Sequence, residues 1–247
     1  LPLEEYLYSV VPSEMPTEYQ KEALKAQAVC ARSYAIKQMA GKRLAALGAH
    51  VDDSVSFQVY NNLREDAASI AAVNETKGQV VFAENQVAET YFYSVSAGVS
   101  AGIKEVWFAK KDRSYLMPCV LLGDSRKTLD LQKEADFSEF LQGEIKSYDT
   151  NSPWYRWRTT VSEKQLQQFI SEKIKSRYEK NPTQIQTKQK DGTFFSTGQT
   201  ELGEIKKVEI LKRGKSGVAV MAQITGSKNT LRIYTEYNLR NLFGGEK

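Results

Sequence analysis

The chain has 247 residues, enough for a sizeable hydrophobic core in one large domain or a domain with an elaborated arm. Apolar residues make up 41% and charged residues 26%, an ordinary globular composition, and no run approaches the roughly 18 apolar residues of a membrane span. A net charge of +4, with basic residues scattered apart from Lys110-Lys111 with Arg113 and Lys206-Lys207 with Lys212-Arg213, suits a polyanionic surface only weakly; no helix-turn-helix, zinc finger or ribonucleoprotein motif supports nucleic-acid binding.

In chain order, the first clear element is a helix from Glu18 to about Leu44. Thr17 and Gln20 are spaced as a capping box, and Leu24, Ala28, Ala31, Ala35 and Met39 form one apolar face of mostly small residues. Small residues predict close packing against neighbours. Lys25, Gln27 and Arg32 interrupt this face. Short segments follow from His50 to Arg64, then a second helix over Glu65–Thr76 with Ala67, Ala68, Ile70, Ala71 and Val73 as its buried side, ended by Gly78. Gln79–Ala83 and Gln86–Ser94, joined by Glu84-Asn85, read as a β-hairpin running into the small-residue loop Ser94–Gly102.

Farther on, a short strand is predicted over Tyr115–Leu122. Ser152-Pro153-Trp154-Tyr155-Arg156-Trp157 is an aromatic patch. It reads first as packing for a hairpin, with carbohydrate binding as the alternative. Ser162–Tyr178 reads as an amphipathic helix with Leu166, Phe169, Ile170 and Ile174 on one side. Residues 180–200 read as an exposed loop or hairpin. Ile205–Leu211, Val218–Ile224 and Thr230–Tyr234 alternate as three strands, and Asn238–Phe243 closes with a helical turn. The fold class is α+β: a long helix packed through small residues against antiparallel β-structure, with an additional helix-containing arm. The organisation reads as one domain over 1–247 with an elaboration around 123–200.

The chemistry-bearing inventory is short. There is one histidine, His50, and no nucleophile elbow, which argues against a serine triad. Cys30, Cys119 and His50 lack the close-spaced ligand pairs of zinc motifs, so no metal and no cofactor are expected; the cysteines read as buried free thiols, with a disulfide between them as the alternative. One carboxylate stands out. Glu14 lies in Val10-Val11-Pro12-Ser13-Glu14-Met15-Pro16, where two prolines fix the backbone that aims it. Apolar neighbours disfavour its charged form, as a general acid requires, whereas a nearby helix N-terminus would act the other way.

That block, followed by Glu22-Ala23-Leu24-Lys25-Ala26-Gln27-Ala28-Val29 and Ala31-Arg32-Ser33-Tyr34-Ala35, resembles the sporulation stage II protein D family (SpoIID/LytB). Asp53-x4-Gln58-x-Tyr60, Thr76-Lys77-Gly78, Tyr91-x-Tyr93-Ser94-x-Ser96-x-Gly98, Glu105-Val106-Trp107, Ser152-Pro153-Trp154-Tyr155, Lys212-Arg213-Gly214 and Arg240 continue the resemblance in order. It implies a lytic transglycosylase that cleaves peptidoglycan glycan strands, with Glu14 as acid and then base. Arg32 and Lys25 would hold acidic or carbonyl groups, and Gln27, Gln58, Tyr93, Ser94, Ser96 and Gly98 would contact substrate. It also implies an extracytoplasmic protein, tethered by an N-terminal anchor or exported by a signal outside these residues. A cell-wall amidase is the implied partner, and a non-catalytic amidase enhancer is the alternative. One departure concerns the loop after the serines, where the family has two glycines and this chain has Ala97-Gly98.

Overall fold

A computed structural model describes residues 1–54, 56–107, 113–121, 129–143 and 146–244. Lys110 and Lys111, and the Leu122 end of the expected strand, lie outside these residues. The chain is α+β and divides into two compact units, Leu1–Ser94 and Val95–Lys247, where the sequence reads as one domain.

The first unit begins with a helix that the motif-centred reading does not anticipate. α1 spans Leu3–Glu14, with Glu4 and Glu5 favourably placed in its first turn. Leu7, Val10 and Val11 form its buried face. Pro12 lies in the last turn and removes one N–H from the ladder, so the helix ends two residues later. Met15, preceding Pro16, is forced extended at φ −143°, ψ 132°. The expected Thr17 capping box does not form. Tyr19 N–H donates to the Pro16 carbonyl in a turn, and α2 starts only at Lys21 with Gln20 as its uncapped N-terminal residue.

α2 spans Lys21–Met39 and stops short of the expected Leu44, because a turn at Gly41 closes it onto Gln38. Leu24, Ala28 and Ala31 are buried against Leu7, Val10 and Val11 of α1 and against Ala72 and Val73 of α3, Ala67–Glu75. Met39, at the end of the predicted stripe, is exposed. The small-residue face therefore meets helices rather than a sheet. The chain around a short hairpin, β1 (Phe82–Ala83) and β2 (Gln86–Val87), meets α2 through polar groups instead: Val81 N–H donates to Ser33 Oγ at 2.8 Å and Thr90 Oγ1 donates to the Cys30 carbonyl at 2.7 Å. Glu84 and Asn85 form the expected turn, both at positive φ, but each strand is only two residues long. In α3 the buried face is Ser69, Ala72 and Val73, while Ala67 and Ala68 are exposed. Asp66 caps this helix, which turns those first alanines outward.

The second unit holds a five-stranded antiparallel sheet of order β4-β3-β7-β6-β5, from β3 (Ile185–Lys188), β4 (Phe194–Phe195), β5 (Ile205–Arg213), β6 (Ala219–Gly226) and β7 (Thr230–Tyr234). Alternation on these strands sends Ile185, Ala222, Ile224, Leu231 and Ile233 to one face, where they pack with Ile170 and Ile174 of α6 (Glu163–Lys180) and Leu239 and Leu242 of α7 (Glu236–Phe243). Ser162 and Gln165 form a capping box that starts α6. The unit also contains α4 (Ile103–Val106) and α5 (Glu134–Gln142). Around Tyr115 the described residues form no named strand; Val120 makes an isolated bridge to Val99. No helix among the described residues is long and apolar enough to cross a membrane. Cys30 and Cys119 are both free; Cys30 is half-buried and Cys119 is exposed, so only the first approaches the expected buried thiol.

Candidate active site

Glu14 is the last residue of α1, and its geometry follows from that position. Its Oε1 accepts a hydrogen bond from Val59 N–H at 2.7 Å. Two residues on, Asn61 N–H donates to Ser13 Oγ at 3.0 Å, and Ser13 donates in turn to the Ser9 carbonyl at 2.7 Å. Adjacent residues at the end of α1 thus clasp alternate N–H groups of the segment 59–61. Tyr60 stacks on Tyr6 with ring centroids 5.7 Å apart and planes 8° from parallel, and Tyr6 donates to Gln58 Oε1 at 3.4 Å. Glu14 Oε2 accepts no hydrogen bond among the described residues.

The carboxylate stands among phenols. Burial pushes the Tyr6 hydroxyl up to about 12, with the charges of Tyr34, Glu14 and Tyr60 acting in the same direction. Burial also raises Tyr34; Glu14 adds to the effect and Arg43 opposes it. The charge of Glu14 bears on both phenols. Two buried amides complete the surroundings of this unit. Gln27 is 6% exposed and Gln58 is 3% exposed, and the Nε2 of each has no hydrogen-bond partner. An unpartnered buried donor is costly, so each is a group that a ligand carbonyl or hydroxyl would satisfy. Tyr6 and Tyr60 also line a cavity of about 410 Å³ with Leu3, Ala35, Met39 and Asp53.

Arg32 departs from the role the resemblance implies. Its side chain is 1% exposed and makes a bidentate pair with Glu4, Nε to Oε1 at 3.0 Å and Nη2 to Oε2 at 2.7 Å. Its remaining N–H groups meet the carbonyls of Val73 and Gln79 and the Thr76 hydroxyl. The guanidinium is thereby spent on joining α1, α2 and the end of α3, and no N–H faces outward for a substrate. Lys25 bonds Glu22 at 2.9 Å and lies 3.8 Å from Glu75, which Lys21 also pairs at 2.5 Å; the hydrogen bond to Glu22 raises the Lys25 ammonium. Of the expected substrate contacts on α2, Arg32 is fully committed and Lys25 is paired, whereas the Gln27 amide Nε2 has no partner.

Tyr93 and Ser94 are exposed at the end of the first unit. Ser96 and Gly98 belong to the second, where the loop is held from behind. Ser96 N–H and Oγ both donate to Asp149 Oδ2, at 3.0 and 2.5 Å, and Gly98 N–H donates to Ser96 Oγ at 3.1 Å. Ser96 is therefore a loop anchor rather than a free contact. Gly98 sits at φ 100°, a conformation that needs glycine, whereas Ala97 is exposed and has no such requirement. Its methyl group is accommodated without backbone strain. Glu105 Oε2 accepts from Gly102 N–H and its Oε1 from Ser216 N–H at 3.2 Å, so the Glu105 and Gly214–Gly217 motifs meet as a structural joint. Among the described residues no group of three or more His, Cys, Asp or Glu side chains could hold a metal ion.

The sequence assigns no role to Tyr6, Tyr34 or Tyr60. Helical spacing offered a signal, since Gln27 and Tyr34 are seven apart on one side of α2.

The first unit is a three-helix assembly that sets the Glu14 carboxylate among the Tyr6 and Tyr34 phenols and also holds the unpartnered amides of Gln27 and Gln58. Comparison with known families points the same way: residues 1–82 match the family model described as Stage II sporulation protein (SpoIID). Residues 101–195 match a domain of unknown function, DUF8618. Stage II sporulation protein D of Bacillus subtilis (strain 168) is 36% identical over 121 residues, covering 43% of this chain and 35% of that protein. The protein of the same name from Bacillus amyloliquefaciens gives the same identity and coverage. The amidase enhancer of Bacillus subtilis (strain 168) is 34% identical over 113 residues, covering 43% of this chain and 15% of the enhancer. The chain thus matches about a third or less of the length of these relatives.

Proposed function

We propose that this protein remodels bacterial peptidoglycan in sporulation as a lytic transglycosylase, with Glu14 as its acid and then its base. The observation that carries the reading is the state of the Glu14 carboxylate: Oε1 is fixed by Val59 N–H, and Oε2 is uncommitted among the described residues. Hydrolytic glycosidases need two carboxylates at defined separation. A strand-cleaving reaction that uses the sugar's own hydroxyl needs one.

In this mechanism the proton sits on Oε2, since Oε1 faces a donor. It passes to the glycosidic oxygen as the bond to C1 of N-acetylmuramic acid breaks. The carboxylate then takes the proton of that sugar's C6 hydroxyl, whose oxygen bonds to C1 and closes a 1,6-anhydro ring. The Gln27 and Gln58 amides would bind acetamido carbonyls or ring hydroxyls, and the clasp on segment 59–61 keeps the acid in place between the two steps. Such a substrate lies on the extracytoplasmic side.

A second reading has one observation in its favour. Glu14 and Ser13 hold the 59–61 segment, a structural duty that a non-catalytic enhancer of a partner amidase would also need. The likeness to the amidase enhancer is compatible with it. Glu14→Gln separates the two. Gln keeps an oxygen for Val59 N–H but cannot cycle a proton, so strand cleavage by the isolated protein falls by about 10²–10⁴ while thermal stability is kept. A folded Glu14→Gln protein that cleaves at the wild-type rate would refute the catalytic assignment; a wild-type protein that cleaves nothing alone yet stimulates an amidase would establish the enhancer.

A further inference from the structure

We propose that the segment over residues 146–158 is a second glycan-binding surface, which stacks the sugar rings of a strand on Tyr148, Trp154 and Trp157 and holds its lactyl carboxylates with Lys146 and Arg158. It rests on the glycan-strand reading above but lies in the second unit, away from Glu14 in sequence.

The expectation that these aromatics pack a hairpin fails. Tyr148 is 86% exposed, Trp154 69% and Trp157 64%. Large rings in water are ordinarily an unfavourable arrangement, and here the backbone beneath them is firmly tied. Tyr148 N–H donates to the Leu121 carbonyl at 3.4 Å, and Leu121 N–H donates to the Gly98 carbonyl at 2.8 Å. Asp149, next to Tyr148, takes both bonds from Ser96. Arg156, between Tyr155 and Trp157, donates Nε to the Ala97 carbonyl at 3.2 Å and Nη1 to the Gly143 carbonyl at 2.9 Å. Its guanidinium lies 4.2 Å from the centroid of the Phe140 ring and 4.9 Å from that of Tyr155. Burial lowers the Arg156 guanidinium from its ordinary value. The aromatic turn and the Ser96–Gly98 loop are therefore tied together through Tyr148, Asp149 and Arg156, which limits the backbone ordering that a ligand landing on the rings would require.

The charge around the rings selects the ligand. Lys146 and Arg158, at the two ends of the segment, are exposed and make no ion pair among the described residues. Asp149, the one acid between them, is occupied by Ser96. Flat apolar rings flanked by free cations fit a polymer whose sugars offer C–H faces and whose alternate residues carry a carboxylate, which describes a peptidoglycan strand without stem peptides. An uncharged N-acetylglucosamine oligomer would have the faces without the carboxylates.

The test uses the full chain carrying Glu14→Gln, titrated with purified peptide-free glycan strands and with N-acetylglucosamine oligomers, read by calorimetry and tryptophan emission. The strands should shift or quench the emission and bind more tightly than the oligomers at low salt, with the gap narrowing as salt rises. Adding Trp154→Ala and Trp157→Ala should weaken strand binding by on the order of tenfold or more, and Lys146→Glu with Arg158→Glu should weaken strands while sparing oligomers. Trp154→Tyr with Trp157→Tyr, which keeps the rings, should hold affinity within a few-fold and so controls for folding. Unchanged strand affinity in the alanine variant, or loss of affinity in the alanine and ring-preserving variants alike, would overturn the proposal; so would binding of an acidic protein through these rings without any strand response. Emission does not depend on cleavage, so a Glu14→Gln chain that still cleaves would sink the acid/base assignment alone.

Discussion

Arg32 brings a full charge into a site almost closed to water, and each of its N–H faces has a partner there. Removing it leaves Glu4 without its cation and strands the Val73 and Gln79 carbonyls. Breaking a buried pair from one side costs roughly 3–5 kcal/mol. Arg32→Ala should therefore lower unfolding stability by that order in denaturant titration, with any loss of activity following from unfolding. Native stability combined with a selective loss of strand binding would return Arg32 to the substrate. The sequence showed Arg32 as an interruption in an apolar stripe but could not show its partner, because Glu4 lies on the preceding helix and the pairing exists only once α1 and α2 are antiparallel neighbours. Glu14 was legible for the opposite reason. Pro12 and Pro16 constrain its backbone locally, so its importance could be read without tertiary structure. The Val59 N–H that fixes one of its oxygens could not.

At the level of elements, α2 is the piece on which the first unit is built. Ala28 and Ala31 are fully buried against α1 and α3, and a methyl side chain is what permits that approach. Ala31→Leu should overpack this junction and cost about 1–3 kcal/mol, seen as an earlier cooperative transition on heating. An unchanged transition would show that the contact is looser than the burial implies. The stripe was legible because helical periodicity is a local property; its partner was not, since small residues admit a sheet or a helix equally well. The capping box failed on a similar point: Thr17 and Gln20 have the right spacing, but Pro16 draws Tyr19 into a turn that uses the backbone first. The C-terminal strands were read well because alternation and turns agree there. The β1–β2 hairpin was overestimated because Val, Tyr, Phe and Thr favour extended backbone whether or not a second strand pairs with it.

Across the whole molecule there are two units with separate cores, and the candidate chemistry is distributed between them: the acid, phenols and orphan amides in the first, the anchored loop and raised aromatics in the second. The motifs of the first unit are contiguous and were legible as such. In the second, Ser96 and Gly98 stood out while Asp149 and Arg156, which hold them, lie more than fifty residues away and carry no local pattern. If one carboxylate closes an anhydro ring, the product carries the direct record of it. Purified protein should be incubated alone with defined glycan strands, with and without stem peptides, and the new chain ends resolved by mass. Ends lighter than the hydrolytic product by one water, with no reducing N-acetylmuramic acid formed, are the predicted result. Reducing ends would mean that water is the nucleophile and a second carboxylate is at work, and the absence of any new ends would mean that Glu14 is a structural residue of a binding protein.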